Sequence, residues 1–104
     1  MIDINSILNN IGTMFITHYL TIESDVHSIL FMKRDGGAFA RMYWYDDDNE
    51  SVYLDSLSVN EEYRNQRIGT ELQLLREDIA IKLGFKNSYL VVDKCQWMKK
   101  WNLY

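Results

Sequence analysis

Two short polar turns constrain this chain more than any other feature. Arg34-Asp35-Gly36-Gly37 and Asp46-Asp47-Asp48-Asn49-Glu50 separate three strand-like runs, 27–32, 38–45 and 51–59. Turns of this length and composition join strands that run back alongside each other. The runs are rich in aromatic and aliphatic residues, which suit a pleated surface. A three-stranded antiparallel meander is therefore expected. The pattern then changes period. Ile68, Leu72, Leu75, Ile79 and Leu83 form a helical stripe, and Gly84 stands where a helix stops. Ser88 to Val92 reads as a buried strand. Strand, helix, strand between 52 and 92 predicts a crossover, with the last strand parallel to the third.

The two ends read as helices. Ile4, Ile7, Leu8, Ile11, Phe15 and Tyr19 recur at spacings of three and four, which predicts an amphipathic helix over 3–20. Asp3 or Asn5 caps its start. Gly12 weakens it by ~1 kcal/mol relative to alanine. Trp97, Trp101 and Tyr104 predict a short final helix over 96–104. The expected fold class is α+β: a mixed sheet made of an antiparallel meander plus one parallel strand after a crossover helix, with an N-terminal helix.

With 104 residues, one domain spanning 1–104 is expected. The chain is 47% hydrophobic and 25% charged, which excludes a disordered tail. A formal charge of −4 gives no basic footprint, so no nucleic-acid partner is expected. Cys95 is the only cysteine, so no internal disulfide forms, which fits a reducing, cytoplasmic setting. No apolar run reaches the ~20 residues of a membrane span, and no secretory leader is evident, so no membrane partner is expected. There is no proline, and there are only three alanines, Ala38, Ala40 and Ala80, against many Ile and Asn. That bias suits an AT-rich genome.

The stretch from Leu57 to Leu72 carries the chemistry. A strand ends at Val59, a polar loop carries Arg64 and Arg67, and a helix begins near Ile68. The first N–H groups of a helix lack intrahelical partners and lie at its positive end. A pyrophosphate suits several such groups. Solvated arginines on an ordinary loop would give the same letters.

These residues resemble the GCN5-related N-acetyltransferases, whose acetyl-CoA loop reads Arg/Gln-x-x-Gly-x-Gly/Ala after a strand ending in Leu-x-Val. Arg64-Asn65-Gln66-Arg67-Ile68-Gly69 occupies that motif, preceded by Leu57-Ser58-Val59. Gly84-Phe85, Leu90-Val91-Val92 and the run Trp97 to Leu103 extend the likeness. The resemblance implies a V-shaped gap between the fourth strand and the strand after the long helix. It implies pantetheine pairing with backbone near Leu57 and Val59, and pyrophosphate on the N–H groups from Gln66 to Thr70. A backbone N–H at Leu57 or Ser58 would stabilise the oxyanion. The cosubstrate implied is acetyl-CoA, and the acceptor an amine of a protein or small molecule.

The chain departs from the family pattern in three places. Arg67 stands at the motif's first glycine. It either grips a phosphate with its planar fork or fills the cradle. Met98 falls at the position of a proton-donating tyrosine. Tyr104, Tyr89 or Cys95 are the substitutes, each with packing as its ordinary role. The chain is also short at both ends relative to the family. That predicts an exposed sheet edge at Leu90–Val92, and hence a homodimer or a protein partner.

Asp55, two residues after Tyr53, is expected to share a face with Leu57 and Val59. It is the candidate general base, with Tyr104 as the second catalytic candidate; the ordinary alternative for Asp55 is an ion pair to a neighbouring strand. Glu61 and Glu62 favour the following helix N-terminus. The turn Asp46–Glu50 either attracts a cationic substrate or is a solvated hairpin, and it lacks the glycine and acid spacing of a calcium loop. His18 and His27 have no metal or triad spacing, so no metal is expected. Trp44, Trp97 and Trp101 read as core rather than as stacking platforms. The functional expectation is acetyl transfer. The alternative is a catalytically degenerate acetyltransferase fold that serves as a protein-binding module or inhibitor, of the kind phages encode.

Overall fold

A computed structural model describes residues 4–92 and 97–102. Six strands form one sheet in sequential order: β1 (Phe15–Glu23), β2 (Val26–Lys33), β3 (Ala38–Tyr45), β4 (Ser51–Val59), β5 (Asn87–Val92) and β6 (Trp97–Asn102). Every neighbouring pair is antiparallel except β4 and β5, which run parallel. The helix α2 (Ile68–Lys82) makes that crossover, and α1 (Ile4–Leu8) packs against it. Among the described residues no helix is long and apolar enough to cross a membrane.

The meander forms as its turns dictate. Gly36 and Gly37 take φ of 82° and 90°, conformations open to residues without a Cβ, and so close the β2–β3 hairpin. Alternation then sorts the side chains. Ala38, Ala40, Met42 and Trp44 of β3 face α2 with Ile29, Phe31, Val52 and Leu54, and all are buried. Ile68, Leu72, Ile79 and Ala80 close this core from the helix side. Gly84 takes φ of 92° just past α2, as its position predicts.

Both terminal helices are corrected. The expected helix over 3–20 ends after Leu8, and residues from Phe15 onward form β1. The helix has already ended when Gly12 takes φ of 91°, a conformation no right-handed helix contains, so it does not run on into β1. The run after it carries Ile16, Thr17, Thr21 and Ile22, whose branched side chains favour a strand, and it pairs with β2 along its length. Within the expected helix over 96–104, the described residues Trp97–Asn102 form a strand: Trp97 pairs with Val92 and Trp101 with Ser88. The cause is shared. A spacing of four, as in Phe15/Tyr19 and Trp97/Trp101, is even, so it keeps one face of a strand as well as one face of a helix. Because β6 pairs with β5, Leu90–Val92 is not the exposed edge that was expected. The outer strands of the described sheet are β1 and β6.

Candidate active site

The site takes shape where β4 parts from β5. Their ladder runs from Ser51↔Asn87 to Leu54↔Leu90. Beyond Leu54, β4 continues through Val59 without a partner on that side among the described residues. The parting coincides with a bulge. Arg41 pairs with Asp55 and Phe39 with Ser58, so Ser56 and Leu57 together oppose Ala40. Ser56 sits at the bulge with φ of 57°, a left-handed conformation that residues bearing a Cβ seldom adopt.

The bulge changes which residues share a face. Phe39, Arg41 and Tyr43 lie on one side of β3, so their partners Ser58, Asp55 and Tyr53 lie on that side of β4. Val59 pairs with Ala38 and turns to the α2 side. The expectation that Asp55 shares a face with Val59 is therefore corrected: one inserted residue reverses the alternation.

Asp55 is buried, and the Arg41 guanidinium holds both its oxygens, with Nε at 3.0 Å and Nη2 at 2.5 Å. This is the ion pair foreseen as the ordinary alternative. The bond to Asp55 raises the pKa of Arg41 above its usual value. From the other face, the fully buried Arg76 of α2 donates from Nη1 to the main-chain oxygens of Arg41 (2.9 Å) and Asp55 (3.0 Å). Burial pushes the Arg76 guanidinium down to about 10, against the opposing charge of Asp55, so it stays cationic at neutral pH. Arg76 was missed in the sequence, where it reads as one solvated charge on a helix.

Past Val59 the chain makes a single 3₁₀ turn, Glu61–Tyr63, and reaches α2 through Arg64–Arg67. Two contacts dock this loop on the β2–β3 hairpin. Asn60 N–H donates to the Gly37 carbonyl at 2.6 Å, and the Tyr63 hydroxyl donates to Asp35 at 3.2 Å. The Tyr63 ring lies over Gly37, where any Cβ would collide with it. Asn65 and Arg67 both take left-handed φ, 67° and 64°. Arg67 is the N-cap of α2, and no side chain caps it.

A cavity of about 420 Å³ opens here, lined by Val59, Tyr63, Arg64, Asn65, Arg67 and the first turn of α2 from Ile68 to Thr70. Arg64 is tied back to the Val59 carbonyl at 3.3 Å. Arg67 is exposed at the cavity wall, and among the described residues no ion pair or hydrogen bond holds its side chain. A Cβ built on Gly69 would touch only Val59 Cγ2, at 3.7 Å, an ordinary contact. The cradle offers the first N–H groups of α2, which no side chain caps, at the positive end of a helix of 15 residues, with the guanidinium groups of Arg64 and Arg67 beside them; these are donors that an anion such as a pyrophosphate can use.

Other expected residues lie elsewhere. Tyr104 and Cys95 fall outside the described residues. Met98 lies in β6, not on a helix. Tyr89 stacks on Tyr53, which stacks on Tyr43, on the sheet face away from α2. His27 bridges the Tyr19 hydroxyl and Asp46, both at 2.5 Å, and stacks on the core residue Trp44 at the far end of the sheet. Asp48 accepts from the Glu50 N–H, and Glu50 pairs with Lys86, so this acidic turn is braced locally. Among the described residues no cluster of metal-binding side chains forms.

Solved structures with a similar fold include acetyltransferases. An acetyltransferase from Bacillus cereus ATCC 14579 matches with a TM-score of 0.53 at 22% identity, over 68% of this chain and 53% of that one. Tetrahymena GCN5 matches with a TM-score of 0.54 at 15% identity, over 68% and 45%. Nourseothricin acetyltransferase matches with a TM-score of 0.50 at 15% identity, over 75% and 59%. At these identities the likeness is one of fold, and the chain spans about half the length of these three structures. No curated protein matches the chain. The model of the acetyltransferase (GNAT) family matches residues 10–104, so the chain belongs to that family.

Proposed function

We propose that the chain is an acetyl-CoA-dependent N-acetyltransferase that acts on an amine of a protein or small molecule. One observation carries the reading: the open cradle at the start of α2 adjoins the end of β4 that has left β5. An anion held by the N–H groups of Ile68, Gly69 and Thr70 and by Arg67 would sit at the mouth of that gap. Among the described residues Leu57 and Ser58 have no strand partner along the gap, and the Val59 carbonyl accepts from Arg64, which leaves the backbone of Leu57 and Ser58 to meet an extended amide-bearing arm. Acetyl-CoA, when bound, supplies an activated acetyl thioester. A backbone N–H at Leu57 or Ser58 is the proposed donor to the carbonyl oxygen as it gains charge. Asp55 is the proposed proton acceptor, reached by exchange of its Arg41 bond. Tyr104 is the proposed donor to the departing sulfur. Arg67, exposed and without a side-chain partner among the described residues, favours grip over obstruction.

The test is thermal. Acetyl-CoA at 100 times its Kd stabilises by about 2.7 kcal/mol, and no shift at millimolar acetyl-CoA rejects the reading. The second reading, a binding module without catalysis, is favoured by one observation: the sheet face away from α2 exposes Leu20, Phe39 and Tyr45. It predicts no acetyl-CoA shift together with a homodimer or a protein partner, read by sedimentation. On either reading the lone Cys95 suits a reducing cytoplasm.

A further inference from the structure

We propose that Arg76 is a positioning residue that locks the β4 bulge from beneath; if the acetyl-CoA reading holds, on which this second step rests, Arg76 thereby orients the acetyl carbonyl rather than gripping the cofactor. Two carbonyls flank the bulge, those of Arg41 and Asp55, and one nitrogen of Arg76 holds both. The peptide between Asp55 and the left-handed Ser56 is thus held on both sides of the sheet. Arg41 takes the Asp55 carboxylate from the open face, and Arg76 takes its main-chain oxygen from the helix face. Left-handed geometry at a serine persists only where its surroundings impose it, and these two bonds are the imposing contacts.

Packing alone does not account for an arginine here. The neighbours of Arg76 on the buried side of α2 are Ile68, Leu72, Ile79 and Ala80. A leucine or methionine would fill the place without desolvating a charge. Among the described residues no carboxylate bonds the guanidinium and its buried Nε has no partner; its Nη2 donates to Gln73 Oε1 at 2.5 Å. The bonds made from Nη1 are those that fix the bulge. Donors aimed at a reacting carbonyl act best when their backbone cannot reorganise. The bonds to Arg41 and Asp55 lie immediately before Leu57 and Ser58, whose backbone is the part expected to meet the thioester.

The test uses the full chain, its Arg76→Met and Arg76→Lys variants, and two measurements. The first is amide hydrogen exchange without cofactor. Arg76→Met is expected to speed exchange by about tenfold or more at those amides from Ser56 to Val59 that are protected in the wild type by pairing with β3, and to leave Ile29 and Phe31 within about threefold. The second is the carbonyl resonance of acetyl-CoA labelled with carbon-13 in its acetyl group. In the wild type it is expected to move downfield on binding. In Arg76→Met it should return towards the free position while the Kd for acetyl-CoA stays within about threefold. Arg76→Lys, which keeps the charge but not the fork, should fall between the two, and it carries both measurements if Arg76→Met fails to fold. Wild-type exchange rates at the bulge in these variants overturn the clamp. An unchanged carbonyl resonance, or a loss of affinity that accounts for the whole effect, overturns the orienting role. If the wild type binds no acetyl-CoA, the cofactor reading and the orienting role fall together, and accelerated exchange still establishes the clamp.

Discussion

Arg41 and Asp55 face each other across β3 and β4, joined by two hydrogen bonds, immediately before the bulge that turns β4 away from β5. If Asp55 is the base, Asp55→Asn should lower acetyl transfer by ~10²-fold and leave acetyl-CoA binding within about threefold, read by calorimetry. Unchanged turnover assigns Asp55 to the ion pair alone.

Arg67 holds a left-handed backbone at the N-cap of α2. Arg67→Gly relieves that conformation, so the free protein should gain about 1 kcal/mol. That is ~4–8 °C in Tm for a domain of this size. The same change removes a charge-assisted bond, so acetyl-CoA should bind about tenfold more weakly. Stronger binding in Arg67→Gly would show that the arginine obstructs the cradle.

Gly37 and Tyr63 join the β2–β3 hairpin to the loop that leads into α2. The Tyr63 ring leaves no room for a Cβ on Gly37, and φ there is 90°. Gly37→Ala should cost about 1–3 kcal/mol. In a Tyr63→Ala background the loss should shrink to the strain of the backbone alone. Additive losses in melts of the four proteins would disprove the contact.

Burial raises the pKa of Tyr43, and the charges of Tyr45 and Asp55 add to the effect. Burial also raises that of Tyr53, with Asp48 contributing. Both phenols bind their protons more tightly in the folded chain. The stability they contribute is complete below the unfolded value of about 10 and is lost as pH rises through the folded values. Arg76 acts in the opposite sense, since its folded value of about 10 lies below its unfolded one. Melts from pH 8 to 11.5 should show a declining Tm that Tyr43→Phe and Tyr53→Phe flatten. A slope that both variants leave intact would remove the tyrosines as its source.

The turns and periods of the chain determine most of its middle. Glycines that must adopt positive φ placed the β2–β3 hairpin, and a stripe of aliphatic residues ending at Gly84 placed α2. These signals are local, since each depends on the conformational freedom or spacing of a few neighbours. The motif from Arg64 to Gly69 was legible for the same reason. Tertiary structure decided the two ends, because Phe15/Tyr19 and Trp97/Trp101 satisfy helix and strand alike and only pairing with β2 and β5 separates them. It also decided the bulge, which no residue type announced, since Ser56 is an ordinary serine until its neighbours impose a positive φ. With the bulge came the faces of Asp55 and Val59, and the reach of Arg76 from a helix to two carbonyls on the strands beneath it. Contacts across 21 and 35 residues of sequence leave no periodic trace, because they depend on where the sheet brings its strands and not on the order of the letters.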